Sequence, residues 1–376
     1  MHLQSYMQSA KELLQQYKGD MPFAAWLKNY FRQHKKYGSR DRKQIIDLCF
    51  CYFRLGQAFS KEVLEERLLI GQFLCHRDSV FIQELKAEWS EQRFLSISDK
   101  LDFLDPSQRS LLFPFTTETS DEIDKESFTL SFLQQPDLFL RVRPGKEKVV
   151  LQKLDKAGIP FSQEGTCLRL SNNTKVDEVL RLDEEAVVQD ISSQRVVEPL
   201  QHQTPNAKPQ TAAWDCCAAS GGKTILLHDT FPRLRLTVSD IRESILVNLR
   251  NRLKRAGIGS YKSFVADVSM PGFSLPQKFD IILCDAPCSG SGTWARTPEQ
   301  LLFFTREKIG HYASLQKNIA LNASKSLRSN GFFLYITCSV FSRENEEVVH
   351  YLSQHGNLQV LSQHYFKGYE QKGDTL

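Results

Sequence analysis

Apolar residues recur at helical spacing through residues 1–110. Ile45, Ile46, Leu48, Cys49, Tyr52 and Phe53 mark one such face, and Ser39 ahead of Arg40-Asp41-Arg42 reads as a helix start. Pro22 is the only proline before Pro106, so the spacing predicts a helical bundle over 1–113. The acidic, polar run FPFTTETSDEIDKESFTLSFLQ predicts a linker over 114–135. The period then changes. LFLRVRP (138–144) and TCLRLS (166–171) read as strands, VVLQKLDKAGI (149–159) as a helix ending near Gly158, and KVDEVLRLDEEA (175–186) as a second helix. Together they predict a small α+β domain over 136–200. From 211, apolar runs at 211–216, 234–239, 261–266, 279–284 and 331–337 alternate with helical stretches, clearest at 241–255 and 299–328. Continuous apolar strands between helices predict a parallel sheet covered on both faces, an α/β domain over 201–376. Ligands of such sheets bind outside the C-terminal strand ends.

Composition narrows the class. The chain has 376 residues, 41% hydrophobic and 24% charged, which excludes a disordered chain. No run approaches the ~18 apolar residues of a membrane helix. The first twenty residues lack an apolar signal core, which points away from secretion. The nine cysteines are an odd number, and none forms C-x-x-C. That usage predicts reduced thiols in a cytoplasm, no disulfide framework and no zinc site. The net charge of +4 is unevenly spread: residues 1–61 carry eleven Lys/Arg against four Asp/Glu, and 62–135 carry seven against fifteen. A basic first segment suits a polyanion such as nucleic acid. The order of elements over 136–200 is also RNA-recognition-like, although many small domains share it.

WDCCAASGGKT (214–224) is a strand running into a glycine-rich turn and then a helix. Glycines admit a ligand close to the backbone, and a helix start offers free N–H groups. One reading is a P-loop of a nucleotide hydrolase. Gly222, Lys223 and Thr224 fit its end, but Cys217 stands where its first glycine belongs, and FDIILCDAP (279–287) imitates a strand ending in a magnesium-binding Asp. The other is the first loop of a class I, Rossmann-like methyltransferase that binds S-adenosylmethionine (SAM) through Cys217, Ala218, Ala219, Ser220, Gly221, Gly222 and Lys223. Asp240, ending the next strand about twenty residues on, can accept both hydroxyls of a ribose, and Arg242 follows it. Asp267, after the third strand, is placed to meet an adenine amino group. A P-loop needs neither acid.

Asp285-Ala286-Pro287-Cys288 ends the fourth strand and Thr337-Cys338-Ser339 the fifth, so both cysteines fall at the ligand end of the sheet. Carbon-5 of a pyrimidine is a poor nucleophile, and a thiolate adding to carbon-6 makes it reactive. Asp285 can assist at the ring nitrogen or amino group, and a base must later remove the carbon-5 proton. Cys49, Cys51, Cys75 and Cys284 read as small hydrophobes. Trp294 and Phe341 are either core residues or stacking platforms.

At these residues the chain resembles the Sun family of RNA (cytosine-5) methyltransferases, ribosomal RNA small-subunit methyltransferase B-like. DAPCSGSGTWARTPE (285–299) and YITCSVFSRENEEVV (335–349) resemble its fourth and sixth motifs, and WDCCAASGGKT its first, with Ser220 where proline is usual. VQDISSQ (188–194) resembles its lead-in. LRVRP (140–144) resembles the start of its small domain, with Arg143 where asparagine is usual. GSRDRKQIIDLCFCYFRL (38–55) looks like the NusB-like RNA-binding domain of some members. The resemblance implies SAM as cofactor and Cys338 as the nucleophile at carbon-6, with Cys288 assisting product release. It has Asp285 holding the cytosine and also meeting the cofactor, Lys223 near the reacting groups, Asp240 on the ribose and Asp267 on the adenine. A non-catalytic RNA-binding assembly factor with the same fold is the other reading of the resemblance. RNA, single-stranded or flipped out and most naturally ribosomal, is the expected partner. Candidate phosphate contacts are Lys35, Lys36, Arg40, Arg42 and Lys43, then Arg141, Arg143, Lys146 and Lys148. The family pattern usually continues past Leu376 into a final apolar strand, so the sheet is expected to lack its last antiparallel member.

Overall fold

The computed structural model describes residues 2–203 and 211–376, which fall into two compact units. The first unit combines the chain up to residue 119 with 123–135 and 293–306. Its long helices are Leu3–Gln16, Phe23–Gln33, Ser39–Arg54 and Leu64–Cys75, the third beginning at the expected serine. Leu13, Phe23, Leu48, Phe53, Leu68 and Phe73 fill its core.

The segment 114–135 is not an open connector. Asp124 caps a helix, Lys125–Ser131, by accepting from the Ser127 N–H, and Phe128, Phe132 and Leu133 are buried. Buried Arg54 donates to the carbonyls of Phe132, Gln134 and Ala295. The stretch 293–306 also packs into this unit. Trp294 lies against Phe113, Phe115 and Phe304, and the Glu299 carboxylate accepts from the Phe23 N–H. Trp294 is therefore a core residue. The helix expected over 299–328 is divided into Gln300–Phe303 and Arg306–Ser324, because Phe304 is extended between them.

The second unit holds two sheets. The smaller contains β1 (Leu138–Val142), β2 (Ser162–Glu164), β3 (Cys167–Leu170) and β4 (Ala186–Val188), antiparallel in the order β2-β3-β1-β4. Leu140, Val142, Leu168 and Leu170 pack on Val150 and Leu154 of the helix Glu147–Lys156. The helix expected over 175–186 shrinks to one turn, Val176–Glu178. Side-chain attractions oppose its continuation: Asp183 takes a left-handed φ of 68° and pairs with Arg252 and Arg255, while buried Glu185 holds Lys153 and Arg181.

The other face of this sheet is not open to RNA. Phe139, Arg141 and Val187 are buried. Arg141 and Arg143, expected on the surface, converge on Asp229 at 2.7 and 2.6 Å, and Arg143 also donates to the carbonyls of Asp183 and Ala256. A cationic side chain is as easily taken by an internal carboxylate as by a phosphate, and the strand pattern cannot distinguish them.

The larger sheet contains β5 (Ala212–Asp215), β6 (Arg235–Asp240), β7 (Tyr261–Val265), β8 (Phe279–Asp285) and β9 (Leu327–Ile336). All are parallel, in the order β7-β6-β5-β8-β9. The helices Gly222–Thr230, Glu243–Arg255, Arg306–Ser324 and Glu346–His355 connect or flank them. Trp214, fully buried, stacks on Phe279 at 5.4 Å. Among the described residues no antiparallel strand joins β9; Lys367 and Thr375 form an isolated bridge. The order reverses between β5 and β8, so a crevice opens at their C-terminal ends.

Candidate active site

The first wall of that crevice is the turn after β5. Ala219 and Gly221 take left-handed φ values of 41° and 87°. A Cβ on Gly221 would approach Leu249 Cγ to 3.2 Å, so both conformation and packing call for glycine. Ser220 is exposed, with its carbonyl and hydroxyl taking the Arg252 guanidinium. Beneath the turn, Thr224 donates to Asp215 at 2.6 Å. Burial pushes the Asp215 carboxyl up to about 8, and its other oxygen is buried without a partner.

Asp240 faces this turn. One oxygen accepts from the Ala219 N–H at 3.0 Å, the other from the backbone and side chain of Arg242. Oδ2 keeps lone-pair capacity, and Oδ1 regains it when the Arg242 side chain, 58% exposed, gives way to a ligand. On the adjacent strand the Ala266 N–H donates to the Asp240 carbonyl, which brings Asp267 to the same rim. Asp267 uses one oxygen on Ser269; its other takes no hydrogen bond among the described residues. Two acids with acceptor capacity beside a turn that admits close approach suit a ribose and an adenine, so these residues fit SAM.

The reacting end is built from β8 and β9. Lys223 Nζ donates to Asp285 at 2.7 Å. Burial alone would lower the Lys223 ammonium, but Asp285 and the two nearby thiols hold it above its ordinary value. Asp285 is thus engaged by Lys223, and these are two residues that the resemblance placed near the reacting groups. The Cys288 and Cys338 sulfurs lie 3.3 Å apart. This contact and burial raise the Cys288 thiol well above its usual range.

Glu344 fixes the two cysteine loops relative to each other. Fully buried, it accepts from the Ser289 N–H, the Ser339 hydroxyl and the Gln316 amide. Ser289, Ser291 and Ser339 form a connected hydroxyl cluster, and the Gly292 N–H donates to the Cys338 carbonyl. Phe341 is buried core. Sequence reasoning missed Glu344 and Asp215. An acid in a run of acids, or at a strand end, carries no sign that its partners come from distant loops.

A parallel five-stranded sheet of this order, with a glycine turn and acids at successive strand ends, defines a Rossmann-like SAM-dependent methyltransferase domain. Residues 203–374 match the family described as 16S rRNA methyltransferase RsmB/F. The chain is similar to ribosomal RNA small subunit methyltransferase B of Citrobacter koseri, 32% identical over 57% of this chain and 51% of that protein. The chain spans about half the length of the curated relatives it matches. Among solved structures, PH0851 superposes with a TM-score of 0.71 over 98% of this chain and 96% of its own, at 18% identity. A methyltransferase homolog from Pyrococcus horikoshii gives 0.53 at 25% identity, over 68% and 81%. No described helix is long and apolar enough to cross a membrane.

Proposed function

We propose that this chain methylates carbon-5 of a cytosine in ribosomal RNA, in the cytoplasm, with SAM as methyl donor. The observation that carries the reading is the pair of sulfurs, Cys288 and Cys338, 3.3 Å apart at the strand ends beside Lys223–Asp285. Bound SAM supplies an electrophilic methyl group. The turn 217–223 holds the donor's amino-acid end, with Asp240 and Arg242 at the ribose and Asp267 at the adenine.

The Cys338 thiolate forms a bond to carbon-6, and the displaced electron pair makes carbon-5 the nucleophile. The Lys223–Asp285 pair holds the base edge and supplies the proton-bearing partner as charge builds on the ring. Once Cys338 is held in the adduct, Cys288 gives its proton to solvent; after transfer the Cys288 thiolate takes the carbon-5 proton, the double bond reforms, and Cys338 leaves with its electron pair. Two sulfurs this close disfavour two negative charges, so Cys288 keeps its proton while Cys338 attacks. The hydrolase reading is the weaker, since Cys217 stands where a P-loop needs its first glycine and a phosphate cradle has no use for Asp240 and Asp267.

RNA phosphates would meet exposed Lys35, Lys36, Arg40, Lys43 and Lys148. Arg42 is less available, because it donates to the Tyr37 carbonyl and lies over Phe31.

The test is a Cys288→Ala variant mixed with SAM and cellular RNA. A denaturant-resistant protein–RNA adduct is expected, and it should vanish when Cys338→Ala is added. An adduct that persists without Cys338 would overturn the assignment. Asp240→Ala is expected to weaken SAM binding by roughly 10- to 100-fold in a calorimetric titration, losing the ribose contacts and loosening the turn. Unchanged affinity would remove Asp240 from the cofactor site.

A further inference from the structure

Outside the crevice, one side-chain cluster in the helical unit has the composition and spacing of a metal centre. Asp47 and Cys51 stand four residues apart on one face of the helix Ser39–Arg54, and His76 follows the end of the helix Leu64–Cys75. Cys51 Sγ is 3.4 Å from His76 Nε2 and 4.0 Å from Asp47 Oδ2, and Nε2 is 2.9 Å from Oδ2. These edges close a triangle whose centre lies about 2 Å from each corner, the length of a zinc bond to nitrogen or oxygen and just short of one to sulfur.

The surroundings are organised toward the same point. Gln72 is buried, and the Ser79 hydroxyl occupies its amide oxygen. Its amide nitrogen is thereby turned to donate to both Asp47 Oδ2 and Cys51 Sγ, at 2.7 and 3.4 Å. Metal ligands are commonly oriented by such an outer donor. Gly71 lets the two helices meet here: a Cβ on it would sit 2.7 Å from the Cys51 carbonyl oxygen. Asp47 and His76 are about 40% exposed, which leaves an entry route, while Cys51 is buried. One thiolate, one carboxylate and a dication sum to zero.

We propose that Asp47, Cys51 and His76 bind a zinc-type divalent cation that staples these two helices, with solvent in the remaining position. The expectation of no zinc site rested on the absence of C-x-x-C, and here the ligands come from two helices instead. Mixed N, S and O donors favour zinc over magnesium or calcium.

The full chain, stripped of metal and kept reduced with a phosphine, should be titrated with Co²⁺. One equivalent is expected to give a thiolate-to-cobalt charge-transfer band with tetrahedral visible bands, and Zn²⁺ should displace it. Cys51→Ser should abolish the band. Asp47→Asn and His76→Ala should each weaken binding at least about tenfold, since losing a ligand costs at least as much as losing an outer-shell partner. Asp47→Asn is half-exposed and nearly isosteric, so it reports even if Cys51→Ser misfolds by circular dichroism. Absence of the bands, or bands unchanged in Asp47→Asn and His76→Ala, would overturn the proposal. So would bands that disappear in Cys217→Ser, because Cys216, Cys217 and Cys284 form a second close group of thiols.

Discussion

Cys338→Ala is expected to lower methyl transfer by at least about 10³-fold, while SAM affinity stays within a factor of about three. The split follows from the site. Cys338 sits on the loop after β9, with its sulfur against Cys288, and takes no part in the turn 217–223 or in the acids at 240 and 267. In the proposed mechanism its removal deletes the group that activates carbon-5 and leaves the cofactor's contacts in place. Transfer of a labelled methyl group into RNA gives the first quantity and calorimetry the second. A loss of less than tenfold would show that carbon-5 is activated by some other group. An equal loss of SAM binding would show instead that the variant has disturbed the loop that Gly292 and Glu344 hold.

Asp229→Ala is expected to destabilise the second unit by about 3–5 kcal/mol, the usual range when one partner of a buried ion pair is removed. The Asp229 side chain is 5% exposed and those of Arg141 and Arg143 are 5% and 11%. Without the carboxylate, two guanidinium groups face each other in a dry place. Denaturation of the full chain should show the loss, and hydrogen exchange should locate it in β1 and the helix Gly222–Thr230. Asp229→Asn keeps the hydrogen-bond acceptor without the charge and should fall between the two. A change below about 1 kcal/mol would mean that water reaches the arginines.

The catalytic sheet was legible because its strands are buried on both faces and so read as unbroken apolar runs. Cys217–Lys223, Asp240, Asp267, Asp285, Cys288 and Cys338 all stand at strand ends, where the topology places ligands, and the structure brings them to one rim. What was not legible depended on partners far away in sequence. The run 114–135 looks polar because it carries acids, yet its phenylalanines line a core completed by residues near 294. Residues 175–186 have helical periodicity, and the ion pairs of Asp183 and Glu185 override it. Arg141 and Arg143 looked like RNA contacts because nothing local shows that Asp229 awaits them. Glu344 was passed over for the same reason.

The placement of 293–306 in the helical unit affects how the protein is made. A ribosome that has produced residue 135 has supplied most of that unit but not Trp294, Glu299 or Phe304. Phe113 lacks Trp294, Phe115 lacks Trp294 and Phe304, and the Phe23 N–H lacks its acceptor, until some 160 more residues emerge. At bacterial elongation rates that delay is roughly ten to thirty seconds. During it, the nascent helical segment exposes aromatic surface that its own sequence cannot cover. A fragment cut at residue 135 would keep that surface exposed permanently. The last third of the chain therefore acts as an intramolecular completion strand for the first.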